Sequence, residues 1–309
     1  VRRILRAKVK AGLFEDNRPL EGRLEHLGSA EHRALAREAV GKSLVLLKNE
    51  NGVLPIRGSA RVLVAGTAAD DIGQASGGWT LTWQGTGNTN EHFPNADSIW
   101  GGIEEAVREA GGEAVLSPEG TYDVRPDVAV VVFGETPYAE FQGDVDTLDF
   151  VPEEPLAVLR RLKAEGIPTV SVFLSGRPMW VNPEINASDA FVAAWLPGTE
   201  GAGVADVLIG DAEGRPRHDF SGVLGFSWPR DATERPLNRG EPGYDPQFAY
   251  GYGLSYARPG PVGLLSEESG VAASTSSVDM YLVDGRVTPP WSLALEDSGG
   301  QTSLIGNRP

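Results

Sequence analysis

Residues 128–133, VAVVVF, form an unbroken apolar run rich in β-branched side chains. A run of that length and kind suits a strand buried on both faces, as in a parallel sheet. Similar short runs occur at 61–66 (RVLVAG), 113–116, 169–174 (TVSVFL) and 190–195 (AFVAAW), alternating with amphipathic helical patterns at 98–110, 152–165 and 200–209. Alternation of this kind implies right-handed crossovers and a mostly parallel sheet covered by helices on both faces. In such sheets ligands sit outside the carboxyl ends of the strands. The loop after 128–133 presents Glu135, Tyr138, Glu140, Asp144 and Asp146 at one such end. The plain reading of that loop is a solvated connection.

Before the alternation begins, residues 1–14 carry Ile4, Leu5, Val9 and Leu13 at helical spacing between Arg and Lys. Residues 15–28 are polar and read as a linker. Ser29 is a predicted N-cap of a second helix reaching about Leu47, with Leu35, Ala36, Ala39, Val40 and Leu44 as its apolar stripe. After Gly222 the regular pattern fades into a Pro-, Gly- and Asn-rich stretch to Tyr256, read as ordered loop. Segments 278–282 and 291–295 are predicted strands of a β-rich region.

The formal net charge of -16 argues against nucleic acid or an anionic membrane as partner. With no cysteine in the chain, disulfides, thiolate catalysis and sulfur-based zinc sites are excluded. No apolar run is long enough to span a bilayer. His26, His32, His92 and His218 show neither metal spacing nor a triad pattern, so no metal and no cofactor is expected. No phosphate-binding glycine loop is present.

Three motifs carry chemistry. In the acidic loop, Glu140 lies beside Tyr138 and Phe141, an environment expected to hold a carboxyl group protonated by desolvation. Glycoside hydrolysis needs such an acid opposite a second carboxylate. The segment GGWTLTWQG at 77–85 offers Trp79 and Trp83 for stacking on sugar rings, with glycines allowing close approach; a core tryptophan is the other reading for Trp79. In LSGRPMWVNP at 174–183, Arg177 could fork onto sugar hydroxyls or, structurally, onto an acid.

Taken together, REAVGKSLVLLKNENGVLPI (37–56), GGWTLTWQG (77–85), GETPYAEFQGD (134–144), LSGRPM (174–179), AAWLPGTEGAGVADVLIGD (193–211) and FAYGYGLSY (248–256) resemble glycoside hydrolase family three, in its exo-β-glucanase and β-glucosidase branch. The resemblance implies an (α/β)6 sandwich over 29–257, preceded at 1–28 by the end of a (β/α)8 barrel and a linker, and followed at 258–309 by the beginning of a β-rich domain. It implies that Glu140 is the acid/base, that Trp83 clamps the aglycone-side sugar, and that Trp79, Glu135 and Tyr138 support or contact substrate. The nucleophile Asp of the family lies in an SDW-like barrel motif that this chain lacks. The chain is therefore expected to be the C-terminal part of a longer, retaining, periplasmic or secreted enzyme, and to hydrolyse nothing alone. Expected partners are β-linked glucosides and glucan oligosaccharides, the N-terminal barrel of the same enzyme, and at most a second copy as homodimer. The alternatives are a β-xylosidase or other exo-glycosidase of the family, or a non-catalytic carbohydrate-binding module.

Overall fold

A computed structural model describes residues 1–16, 26–233 and 236–271, and four short strands beyond them. The chain divides into two compact units, Val1–Ser269 and Gly270–Pro309. In the first, the elements run α1 (Arg2–Lys10), α2 (Ala30–Ser43), β1 (Val45–Asn49), β2 (Arg61–Ala65), α3 (Ile72–Ser76), α4 (Ile99–Glu109), β3 (Glu113–Leu116), β4 (Val128–Gly134), α5 (Glu154–Ala164), β5 (Thr169–Leu174), α6 (Asn182–Ala187), β6 (Ala190–Trp195) and α7 (Ala202–Leu208). The second unit contains β7 (Leu282–Val283) paired with β8 (Arg286–Val287), and β9 (Leu293–Glu296) paired with β10 (Thr302–Ile305), both antiparallel. The predicted strand positions 278–281 and 291–292 lie outside the described residues.

The six strands of the first unit form one sheet in the order β1-β6-β5-β4-β2-β3. All neighbours are parallel except β1, which joins β6 antiparallel at one edge. Residues 128–133 are buried on both faces, as their composition demands. Val128, Val130 and Val132 pack with Ile99, Ile103 and Val107 of α4 and Val204, Val207 and Leu208 of α7. Ala129, Val131 and Phe133 point the other way, into a layer with Leu159 and Leu162 of α5, Ile185 of α6 and Phe173, Phe191 and Trp228. The period of two along one strand thus divides the core into two layers.

Ser29 and Ser98 cap α2 and α4, accepting from the His32 N–H at 3.3 Å and the Gly101 N–H at 3.1 Å. The second helix stops at Ser43 rather than near Leu47. Leu44 to Leu47 are all buried, with Leu44 and Leu46 in one core layer and Val45 and Leu47 in the other. Four consecutive buried residues with alternating sides cannot be one stripe of a helix, and the edge of β6 takes Val45 to Leu47 into β1. In α1 the residues Ile4, Leu5 and Val9 stand exposed. Beyond Gly222, residues 224–228 run antiparallel to 248–252, with Trp228 and Leu224 hydrogen-bonded to Phe248 and Tyr252. Buried Trp228 closes the aromatic layer, 6.5 Å from Phe173.

Glu184 on α6 is buried, and desolvation, aided by the charge of Asp149, pushes its carboxyl up to about 7. A carboxyl with a raised folded pKa binds its proton more tightly in the native state, so the contribution of Glu184 to stability is greatest below the unfolded value near 4.5 and falls as pH rises towards 7. Replacing Glu184 by Gln should flatten that decline and stabilise the protein above pH 7 by up to about 3 kcal/mol. Thermal melts at pH 5 and pH 8 read the effect: little change at the first, a higher midpoint at the second.

Candidate active site

The strand order places a topological switch between β2 and β4. From β2 the chain moves outward to β3, then crosses back over β2 to β4 and continues outward through β5 and β6. Loops leaving the carboxyl ends of two such neighbours diverge and leave a crevice. The loop after β2 carries α3 and GGWTLTWQG; the loop after β4 carries GETPYAEFQGD. The two segments singled out by residue type therefore emerge side by side.

They interlock. The Trp83 indole N–H donates to Glu140 Oε2 at 2.7 Å. The Gln84 side chain accepts from the Ala139 N–H at 2.7 Å and donates to the Glu140 carbonyl at 3.0 Å. Gln74, on α3, donates to the carbonyls of Gly134 and Glu135 at 3.2 and 3.0 Å. Gly78 lies so close to Tyr138 that a Cβ there would sit 1.9 Å from its carbonyl oxygen, so the glycine is required by the contact itself.

Trp79 and Trp83 are exposed, 69% and 48%, with ring centres 6.2 Å apart. The core reading for Trp79 is thereby corrected: its ring is the more open of the pair. Trp79 also adopts a positive φ of 60°, held within a turn in which its N–H reaches the Trp83 carbonyl at 2.9 Å. Phe141 meets Trp83 edge-on at 5.9 Å and is 75% exposed. The three rings form an aromatic ridge beside the Glu140 carboxylate. A ridge of this kind can stack on sugar rings while the carboxylate reaches their oxygens.

The environment of Glu140 departs from expectation. Tyr138 and Phe141 do not enclose it, and the group is exposed. The Trp83 N–H, then its own backbone N–H, hold the Glu140 carboxyl below the ordinary carboxylate range. Tyr138 turns instead towards Arg177, whose guanidinium lies 4.3 Å over its ring, and donates to Glu135 Oε2 at 3.3 Å. Burial, then the Glu135 charge, pushes the Tyr138 phenol up to about 12.

Glu135 is held by Arg177 through Nε and Nη2, at 2.9 and 2.7 Å, and accepts from the Gly176 N–H at 3.3 Å. Arg177 also donates to the Gly143 carbonyl at 2.7 Å. Of the two readings for Arg177, pairing with an acid is the one observed. Glu135, Tyr138 and Arg177 brace the loop from behind; Glu140, Trp79 and Trp83 face outward.

The site is a surface rather than a cavity. A hollow of about 450 Å³ is lined by Arg177, Phe226, Tyr250 and Arg239 among others, and one of about 230 Å³ lies between the loops against Gln74, Gly85 and Pro137. Neither is lined by Glu140 or the two tryptophans. Among the described residues, no group of three His, Asp or Glu is arranged to hold a metal ion.

A family model described as the glycosyl hydrolase family 3 C-terminal domain matches residues 44–256. The chain belongs to glycosyl hydrolase family 3. It is 31% identical to the lysosomal beta glucosidase of Dictyostelium discoideum over 83% of its own length and 34% of that protein's. It is 28% identical to the periplasmic beta-glucosidase of Salmonella typhimurium, over 82% and 40% of the two chains. The crystal structure of an exo-1,3/1,4-beta-glucanase from a Pseudoalteromonas species superimposes with a TM-score of 0.85 at 49% identity, covering 99% of this chain and 38% of that one. The chain thus spans well under half the length of the family 3 proteins it matches.

Gln84 and Gln74 are the residues of this candidate site that reasoning from residue type overlooked. A neutral amide carries no chemical signature, and only the position of Gln84 directly after Trp83 sets it apart. Trp83 and Glu140, chosen separately, stand in direct contact.

Proposed function

We propose that this chain is the C-terminal part of a retaining, exo-acting β-glucosidase or exo-β-glucanase that removes glucose from the non-reducing ends of β-glucans and their oligosaccharides. The observation that carries the reading is the hydrogen bond from Trp83 to Glu140, which joins a sugar-stacking ring and a carboxylate at the switch point of the sheet. In this reading Glu140 is the acid/base, and the nucleophilic Asp belongs to an N-terminal barrel facing the ridge. The Asp attacks the anomeric carbon while Glu140 passes its proton to the leaving oxygen; the glycosyl-enzyme is then opened by water that Glu140 deprotonates.

The lowered proton affinity of Glu140 suits the second step, where it acts as carboxylate. For the first step its proton affinity must rise. Cover by a sugar and a facing wall would supply the desolvation that the open surface lacks. The exposed Trp79, Trp83 and Phe141 would be covered by the same closure, stacking on the sugar that leaves.

The periplasmic relative supports placing the enzyme in the periplasm or outside the cell. The test is hydrolysis of a β-glucan oligosaccharide by the enzyme containing the barrel, followed by NMR from the first seconds. Glucose released singly as the β-anomer supports the proposal. Initial α-glucose contradicts retention, and internal fragments contradict exo-action. A parallel series of aryl β-xylosides and β-glucosides decides the sugar.

A further inference from the structure

The geometry points to Gln84 as a positioning residue for Glu140, an inference that rests on the acid/base reading above. Glu140 sits at the tip of a tight turn. The residue after it, Phe141, has a φ of 71°, in the left-handed region that a side chain other than glycine adopts at a cost. Phe141 is 75% exposed, so burial of its ring does not hold that conformation. The turn's own bonds are few: Gly143 N–H to the Ala139 carbonyl at 2.8 Å, and Asp144 N–H to the Phe141 carbonyl at 3.3 Å.

Arg177 holds the far end of the turn through the Gly143 carbonyl; Gln84 supplies the hold at Glu140 itself. One carboxamide grips the main chain on both sides of the Glu140 Cα, accepting from Ala139 N–H and donating to the Glu140 carbonyl. Adjacent residues thus hold different parts of one group, since Trp83 orients the carboxylate and Gln84 fixes the backbone from which it projects. Either anchor alone leaves rotations free; both together define where the proton is delivered. Gln84 touches no reacting atom in this arrangement and acts through Glu140.

The experiment uses the barrel-containing enzyme with Gln84→Ala and with Gln84→Met, which keeps the side-chain volume and loses both hydrogen bonds. The quantity read is kcat/KM on phenyl β-glucoside, whose leaving group needs a proton, and on 2,4-dinitrophenyl β-glucoside, whose leaving group does not. A misplaced acid should lower the first by about 10- to 100-fold and leave the second within about 3-fold.

A residue that merely stabilises the fold would reduce the active fraction and so depress both substrates equally. Equal losses in both variants, or no loss, overturn the assignment. Glu140→Gln assayed beside them separates the two levels. If it discriminates between the substrates and the Gln84 variants do not, the inference about Gln84 falls alone. If Glu140→Gln also fails to discriminate, the acid/base reading falls with it.

Discussion

In the barrel-containing enzyme, replacing Glu140, the proposed acid/base, by Gln should lower kcat/KM on β-glucosides with poor leaving groups by about 10²- to 10⁴-fold, and barely affect that on activated aryl glucosides. The substitution keeps size and the hydrogen bond from Trp83, because the Gln Oε1 can accept it as the carboxylate Oε2 does. What it removes is the transferable proton. An alkoxide leaving from an oligosaccharide needs that proton, while a dinitrophenolate departs without it. The deglycosylation step loses its base at the same time. On the activated substrate kcat therefore falls and KM falls with it, as glycosyl-enzyme accumulates. A carbohydrate-binding module without acid/base function would show altered sugar affinity and none of this pattern.

Replacing Arg177 by Leu should destabilise the protein by about 3 kcal/mol. The guanidinium and the Glu135 carboxylate are mostly buried, with 21% and 11% of their side chains exposed. Removal of the cation leaves Glu135 with only the weaker Tyr138 and Gly176 donors, at 3.3 Å each. It also frees the Gly143 carbonyl and uncovers the Tyr138 ring.

The remedy identifies the cause. Adding Glu135→Gln to Arg177→Leu should recover part of the loss, since the uncompensated charge is then gone. Chemical denaturation of the two single variants, the double variant and the unsubstituted protein measures the difference. If the double variant is less stable than the unsubstituted protein by the sum of the two single losses, the pair is not the brace described here.

The sheet was legible because its strands are buried on both faces and so carry continuous apolar runs. Ser29 was legible as a cap because a short hydroxyl before a helical pattern has one dominant use; Ser98, read as the first residue of its helix, is in fact its cap. The end of α2 was not, since Leu44 and Val45 extend its apolar stripe as well as they begin a strand. Length could not decide, and only pairing with β6 did. Helices α3 and α6, five and six residues long, carry too few turns for a period to show.

Within the site, the contact between Trp83 and Glu140 could be anticipated from chemistry, because both residue types serve sugar hydrolysis and both follow strand ends. The state of Glu140 could not. Neighbours in sequence, Tyr138 and Phe141, suggested an apolar pocket, but one ring turns back under Arg177 and the other out to solvent. Sequence adjacency in a tight turn says little about which way rings point.

The most direct test of Glu140 as acid/base is chemical rescue. In the barrel-containing enzyme, Glu140→Ala leaves space beside the anomeric carbon and no base to activate water. With 2,4-dinitrophenyl β-glucoside to form the glycosyl-enzyme, added azide should attack it directly, displacing the enzyme carboxylate. Turnover should rise with azide concentration, and β-glucosyl azide should be the product by NMR. Turnover indifferent to azide, with glucose as the sole product, would contradict the account.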